Sequence, residues 1–176
     1  MAGDIKQKLL ASVTLADSGL NSLAASGTYV AGYETNAVDN GGYTGGPCLD
    51  FLLSGHFKSG SANPNTASAN IEVWVIGSEN DTPTWPDVFD GTASAETVTS
   101  RNVLQACGRL AAVIASDAST NDRTYTFAPV SIASLFGGAV PDQWVVFVTH
   151  AIQTSTNVWA TSGHAIYYTP VVAQYT

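Results

Sequence analysis

Leu49-Asp50-Phe51-Leu52-Leu53-Ser54-Gly55-His56-Phe57-Lys58 decides the fold class. Leu49, Phe51, Leu53 and Phe57 fall on one side of an extended chain, while Asp50, Ser54, His56 and Lys58 fall on the other. Side chains of a strand point alternately to its two faces, so this segment reads as a strand with one face in a core and one in water. An antiparallel sheet with a solvated side is the setting that produces such a pattern.

Working outward, short apolar, β-branched and aromatic runs recur at residues 7–15, 28–35, 48–58, 70–77, 107–116, 123–129, 143–152 and 164–172, between clusters of Gly, Pro, Asn and Ser. No segment sustains an apolar i, i+3, i+4, i+7 stripe with caps over ten residues. The chain is therefore expected to be all-β, and eight strands suit a two-sheet, jelly-roll-like β-sandwich. Gly41-Gly42, Gly45-Gly46-Pro47 and residues 60–64 mark hairpin or crossover tips. A short turn of helix is expected at residues 131–136, before Gly137-Gly138. No repeat, coiled coil or linker divides the 18.3 kDa chain, so residues 1–176 read as one domain.

Residues 143–150 differ from the opening segment. Trp144, Val146 and Val148 share one face, and Val145 and Phe147 share the other, so both faces of this strand must be covered. A two-layer sandwich buries only the inner face of each sheet, which leaves an apolar outer face for a loop, an insertion or another subunit to cover. The candidate insertion is residues 79–106, where Asn80-Asp81-Thr82-Pro83 and Trp85-Pro86-Asp87-Val88-Phe89-Asp90-Gly91 interrupt the strand pattern. Subunit and insertion are equally good covers at this level.

Charged residues make up 11% of the chain, against about a quarter in an ordinary soluble domain. Charge keeps monomers apart, so much of this surface is expected to lie against other subunits. The net charge of −8 and the scattering of Lys6, Lys8, Lys58, Arg101, Arg109 and Arg123 argue against a nucleic-acid groove, which needs clustered cations. No apolar run approaches the ~20 residues of a membrane span, and the opening residues lack the basic-then-apolar order of a secretory signal. A cytosol-like compartment is the expectation. Cys48 and Cys107 fall in strand-like segments without metal-ligand spacing and read as buried free thiols, or as a disulfide if their strands are neighbours.

The residues able to carry chemistry do not form a site on paper. His56, His150 and His164 lack zinc spacing. Ser54-Gly55-His56 and Ser162-Gly163-His164 place Ser and His on a common strand face without a triad, and no Gly-x-Ser-x-Gly elbow is present. Glu79, Asp81, Asp87 and Asp90 gather oxygens in the insertion, but their spacing matches no calcium loop and suits Asp side chains that cap turns. Trp74, Trp85, Trp144 and Trp159 invite a sugar-stacking reading, weighed against core and interface anchoring. Trp85, Phe89, Trp144, Phe147 and Trp159 are the candidate interface anchors. No catalytic, cofactor-binding or metal-binding residue is assigned, and the chain reads as a non-enzyme.

Three segments carry a likeness: Trp85-Pro86-Asp87-Val88-Phe89-Asp90-Gly91-Thr92, then the run from Ala128-Pro129-Val130-Ser131 to Phe136-Gly137-Gly138, then Pro141-Asp142-Gln143-Trp144-Val145-Val146-Phe147-Val148-Thr149-His150. Together with Gly163-His164-Ala165-Ile166-Tyr167-Tyr168-Thr169-Pro170 they resemble a family of tailed-bacteriophage virion structural proteins, across roughly the C-terminal two-thirds of the chain. The resemblance implies a particle component. A capsid decoration, or cement, protein is the first expectation: a stiff sandwich, commonly a homotrimer, on the capsid exterior of the virion, assembled in the host cytoplasm. Its partners would be the major capsid protein and copies of itself, with no nucleic acid, membrane or small-molecule substrate. A tail or neck component and a carbohydrate-binding module of the virion are the competing readings. Residues 7–15 and 171–176 are expected to form subunit-bridging edges, because a terminal strand is a natural place for a partner to pair.

Overall fold

The structure of the chain, a computed structural model, describes residues 5–16, 18–43, 46–60, 69–80, 82–115, 122–152 and 159–175. Eleven strands are present among them: β1 (Ile5–Leu9), β2 (Val13–Ala16), β3 (Ala31–Glu34), β4 (Val38–Asp39), β5 (Asp50–Lys58), β6 (Asn70–Ser78), β7 (Ser94–Thr97), β8 (Gly108–Ala115), β9 (Thr124–Ser131), β10 (Gln143–His150) and β11 (Ala165–Tyr175). Two short helices accompany them, α1 (Arg101–Cys107) and α2 (Ile132–Leu135). In β5 every second residue is buried, with Phe51, Leu53 and Phe57 inside, as the alternation of its sequence requires, but Leu49, expected on the same inner side, precedes the strand and is exposed.

The strands form two antiparallel sheets. One runs β1-β11-β5-β9 with β2 also on β11, and the other runs β7-β3-β10-β6-β8 with β4 also on β10. Residues 5–16 lie along one side of β11 as a single strand position broken at its middle, where the Leu10 N–H donates to the Pro170 carbonyl at 2.9 Å. Residues 31–39 lie along β10 in the same broken way. There the buried Thr35 repairs the break: its N–H donates to the Val146 carbonyl at 2.9 Å and its hydroxyl accepts the Val146 N–H at 3.0 Å. Counting each broken strand once and setting β7 aside leaves eight positions, paired outermost with outermost: β1/β2 with β11, β3/β4 with β10, β5 with β9, β6 with β8. Such nested pairing, shared between two sheets, is the jelly roll. The single strand expected at residues 7–15 is thus two, and β7 is an addition outside the eight.

The main core fills the space between the sheets, with Phe51, Leu53 and Phe57 facing Ile71, Val73, Val75, Trp144, Val146 and Val148. A second core lies on the outer face of the six-stranded sheet. Trp74, Ile76, Val145 and Phe147 are packed there under Phe89, Val98 and Leu104 of residues 79–107. This decides between the two covers for Val145 and Phe147: the chain's own insertion does it. The insertion leaves β6, crosses β10, adds β7 to the β3 edge, and returns through α1 to β8.

Residues 79–106 read as loop in the sequence, yet they contain β7 and most of α1. At seven residues α1 is too short to show a periodic stripe, and it buries only Leu104. It is set by its ends: the Ser100 hydroxyl accepts the Val103 N–H at 3.2 Å, and the Gly108 N–H donates to the Leu104 carbonyl. Cys107 therefore closes a helix and does not begin a strand. The turn expected at 131–136 is α2, capped in the same manner by Ser131.

Candidate functional site

The polar side chains of the insertion hold it down. Glu34, buried on the outer face of β3, accepts the Gly91 N–H at 2.8 Å and the Asp90 N–H at 3.3 Å. Burial pushes its carboxyl up to about 7, against the lowering effect of those two N–H groups, and the charges of Asp90 and Glu96 add to the rise. Asp87 accepts from both the N–H and the hydroxyl of Thr99, at 2.7 and 2.6 Å, and Asp90 accepts the Thr92 N–H at 2.8 Å. Asp90 thus caps its own turn, while Asp87 ties the start of the insertion to Thr99, twelve residues on, so both serve structure. Glu79 is exposed, and Asp81 lies outside the described residues. Among the described residues no three His, Cys, Asp or Glu side chains gather to ligate an ion.

Glu72 is the second buried carboxylate on this face. It takes both guanidinium nitrogens of Arg101, at 2.7 and 2.9 Å, and the Trp74 indole N–H at 3.0 Å. The Arg101 guanidinium also lies 4.8 Å from the Tyr29 ring centre. The hydrogen bonds that Arg101 donates to Glu72 hold its charge more firmly than usual. One side chain thus ties α1 to β6 through a forked pair.

At one end of the main core His150, Trp159 and His164 form a stack. The His150 and Trp159 rings lie 4.3 Å apart at 4°, and the Trp159 and His164 rings 4.5 Å apart at 6°. Each ring is tied to backbone on its rim. Trp159 Nε1 donates to the Leu20 carbonyl, and His164 Nε2 lies 2.8 Å from the Ala160 carbonyl while its Nδ1 accepts the Lys58 N–H. A carbonyl oxygen only accepts, so His164 is the neutral Nε2–H tautomer with both nitrogens used. His150 Nε2 donates by the same logic to the Leu23 carbonyl at 2.9 Å, and its buried Nδ1 has no hydrogen-bond partner among the described residues. Burial lowers His150 to about 4 and lowers His164 as well, so both are neutral spacers at ordinary pH.

The residues named from the sequence therefore separate. Phe89, Trp144, Phe147 and Trp159 are at most 4% exposed within the single chain. They are its own core, and a side chain buried in the subunit has no surface to give a partner, so they are corrected from interface anchors to core groups. Phe89 stands edge-on to Phe147 at 5.5 Å, and Trp144 packs on Phe51 at 5.4 Å. Trp85 is half-buried against the second core and closes over Gly91. His56 stays on the wet face of β5, tilted against Tyr167. Asp50, on the same face, accepts the Ala133 N–H at 2.8 Å and so caps α2 instead of serving a histidine. Cys48 is in the main core and Cys107 against the second, on opposite sides of the six-stranded sheet, and both are free thiols.

The edges of the sheets carry the groups that the core does not absorb. Ile5, Leu9 and Val13 are exposed along β1 and β2, and Leu110 and Val113 along β8. Residues 171–175, expected to be a free edge, are paired with β1 over its whole length, so β1 is the edge at that side. An open groove of about 380 Å³ lies between residues 19–24 and β3/β7, walled mainly by Gly, Ala and Ser with Tyr33 and Glu96. Its small, open walls offer little of the enclosure that holds a small ligand. Among the described residues no helix is long and apolar enough to cross a membrane. No protein-family model matches the chain, and no curated protein matches it.

Proposed function

We propose that this chain is a non-enzymatic structural subunit of a tailed-bacteriophage virion, in first place a capsid decoration protein that binds the head shell and stiffens it. One observation supports the reading above the others. The histidines of the stack, the aspartates of the insertion, the buried glutamates and three of the four tryptophans are all consumed in holding the fold, while the exposed apolar side chains lie mainly on sheet edges. Chemistry is spent inward and contact surface is offered outward, as a part built for assembly requires. The sugar-binding alternative loses Trp159, which has no free face. A subunit of the tail or neck remains the second reading, because a jelly roll with open edges serves there too.

The partners in this reading are the major capsid protein and further copies of the chain, on the virion exterior. The test is the copy number and position of the chain in purified particles, by quantitative gel and electron cryomicroscopy. Hundreds of copies on the icosahedral lattice are expected. A handful at one vertex or along the tail replaces decoration with the neck or tail reading, and absence from particles overturns both.

A further inference from the structure

Two free sheet edges carry opposite charge. β1 pairs with β11 alone and β7 with β3 alone, and both ladders run without a bulge. Among the described residues no backbone hydrogen bond joins the outward side of either strand to another segment. β1 is exposed throughout, with Lys6 and Lys8 on one face, Ile5, Gln7 and Leu9 on the other, and no carboxylate. Neither lysine is in an ion pair among the described residues. β7 carries Glu96, which accepts from the Ser94 hydroxyl at 2.6 Å, and the strand has no cation.

We propose that the β7 edge is a strand-addition site that takes β1 of a second copy of this chain, with Lys6 or Lys8 set against Glu96. The open groove beside β7 suits an extended chain: Gly19, Ala24, Ala31, Gly32 and Ala95 leave room for a backbone to come close, and the free strand edge offers it hydrogen bonds. Charge selects the occupant. Lysine opposite lysine and glutamate opposite glutamate repel, so each edge rejects its own kind, and only β1 against β7 brings opposite charges together. The net charge of −8 is screened beyond about 8 Å at physiological ionic strength, so the charges in contact decide.

Face parity agrees with this pairing. Glu96 stands opposite Gly32, on the outer face with Phe147, which leaves the exposed Ala95 and Thr97 on the inner face beside the groove. Directly opposed residues of neighbouring strands share a face, so every register that sets a β1 lysine against Glu96 also puts Ile5 and Leu9 on the groove side. At 64% and 58% these are the most exposed large apolar side chains among the described residues, and the groove covers them. Two different surfaces meet, so the contact repeats head to tail until a ring closes. The inference concerns the chain in solution and does not rest on the particle reading.

The test is the mass of the full chain in solution by light scattering at about 50 µM, a concentration that saturates a contact of micromolar Kd. The wild-type chain is expected as an oligomer. A chain with Lys6→Glu and Lys8→Glu, both exposed positions, is expected to be monomeric with an unchanged melting temperature, through a loss of more than about tenfold in affinity. Glu96→Lys alone is expected to be monomeric for the same reason. Mixed in equal amounts, the two variants are expected to associate again, because every contact between them now pairs opposite charges. Association on mixing is a readout that misfolding of either variant does not give. A monomeric wild type, a charge-reversed variant that keeps the wild-type mass, or a mixture that stays monomeric overturns the proposal.

Discussion

Glu34 and His150 are two buried titratable residues whose burial shifts them in opposite senses, and the pH dependence of stability follows from the pair. Unfolded, Glu34 ionises near 4.5, and folded near 7. Below pH 4.5 it is protonated in both states; as pH rises to 7 the unfolded chain ionises first, and up to about 3 kcal/mol of stability is lost. His150 falls from 6.5 to about 4 on folding. Its contribution is complete above pH 6.5 and is lost as pH falls towards 4, by a similar amount, with His164 shifted in the same direction. Between pH 4.5 and 6.5 the glutamate and histidine trends oppose each other, so the melting temperature of the wild type should change less there than that of Glu34→Gln. Glu34→Gln keeps an acceptor for the Gly91 N–H and removes one trend. It should match the wild type at pH 4.5, exceed it at pH 8, and show the bare histidine slope in between; a Glu34→Gln profile parallel to the wild type would refute the assignment. Neither shift was legible beforehand. His150 ends a run that is apolar on both faces, and Glu34 lies in a short run ending at Thr35; neither run names the groups from distant segments that pack around these two residues and remove the water.

The insertion is one element in function though it is built of several. It covers Val145 and Phe147, and it is anchored by Glu34 at its tip and by the Arg101–Glu72 pair at its return. Arg101→Ala leaves a buried carboxylate with the Trp74 indole as its remaining hydrogen-bond donor among the described residues and should cost about 2–3 kcal/mol, less than for a fully buried pair because the guanidinium is partly in water. Arg101→Lys should fall between, since an ammonium cannot fork. Urea unfolding checks both, and a midpoint unchanged in Arg101→Ala would remove the anchor from this account. The need for a cover was readable in Trp144 to Val148, where both faces are apolar. Which segment supplies it was not, because Phe89, Val98 and Leu104 are spread through a stretch with no period, and proximity to β10 is set by the β6-to-β8 connection passing over the sheet.

For the whole molecule, the broken strand of residues 5–16 lies on the outside of the five-stranded sheet, and every residue of β1 is exposed. Deleting the first six residues should therefore leave the melting temperature of the isolated chain within about a degree or two, while lowering its occupancy on particles. Unchanged occupancy would exclude that end from shell binding. What the sequence by itself determined is the class of architecture. Period-two alternation in residues 49–58 and turn-forming clusters between eight runs are local properties, and local backbone sterics settle them before any tertiary contact forms. Only the tertiary structure decided the nested pairing of the strands, the conversion of Phe89, Trp144, Phe147 and Trp159 from interface candidates into core, and the exposure of Leu110 and Val113 on β8. These depend on contacts between residues up to the full chain length apart, and a residue's burial is a property of what folds over it.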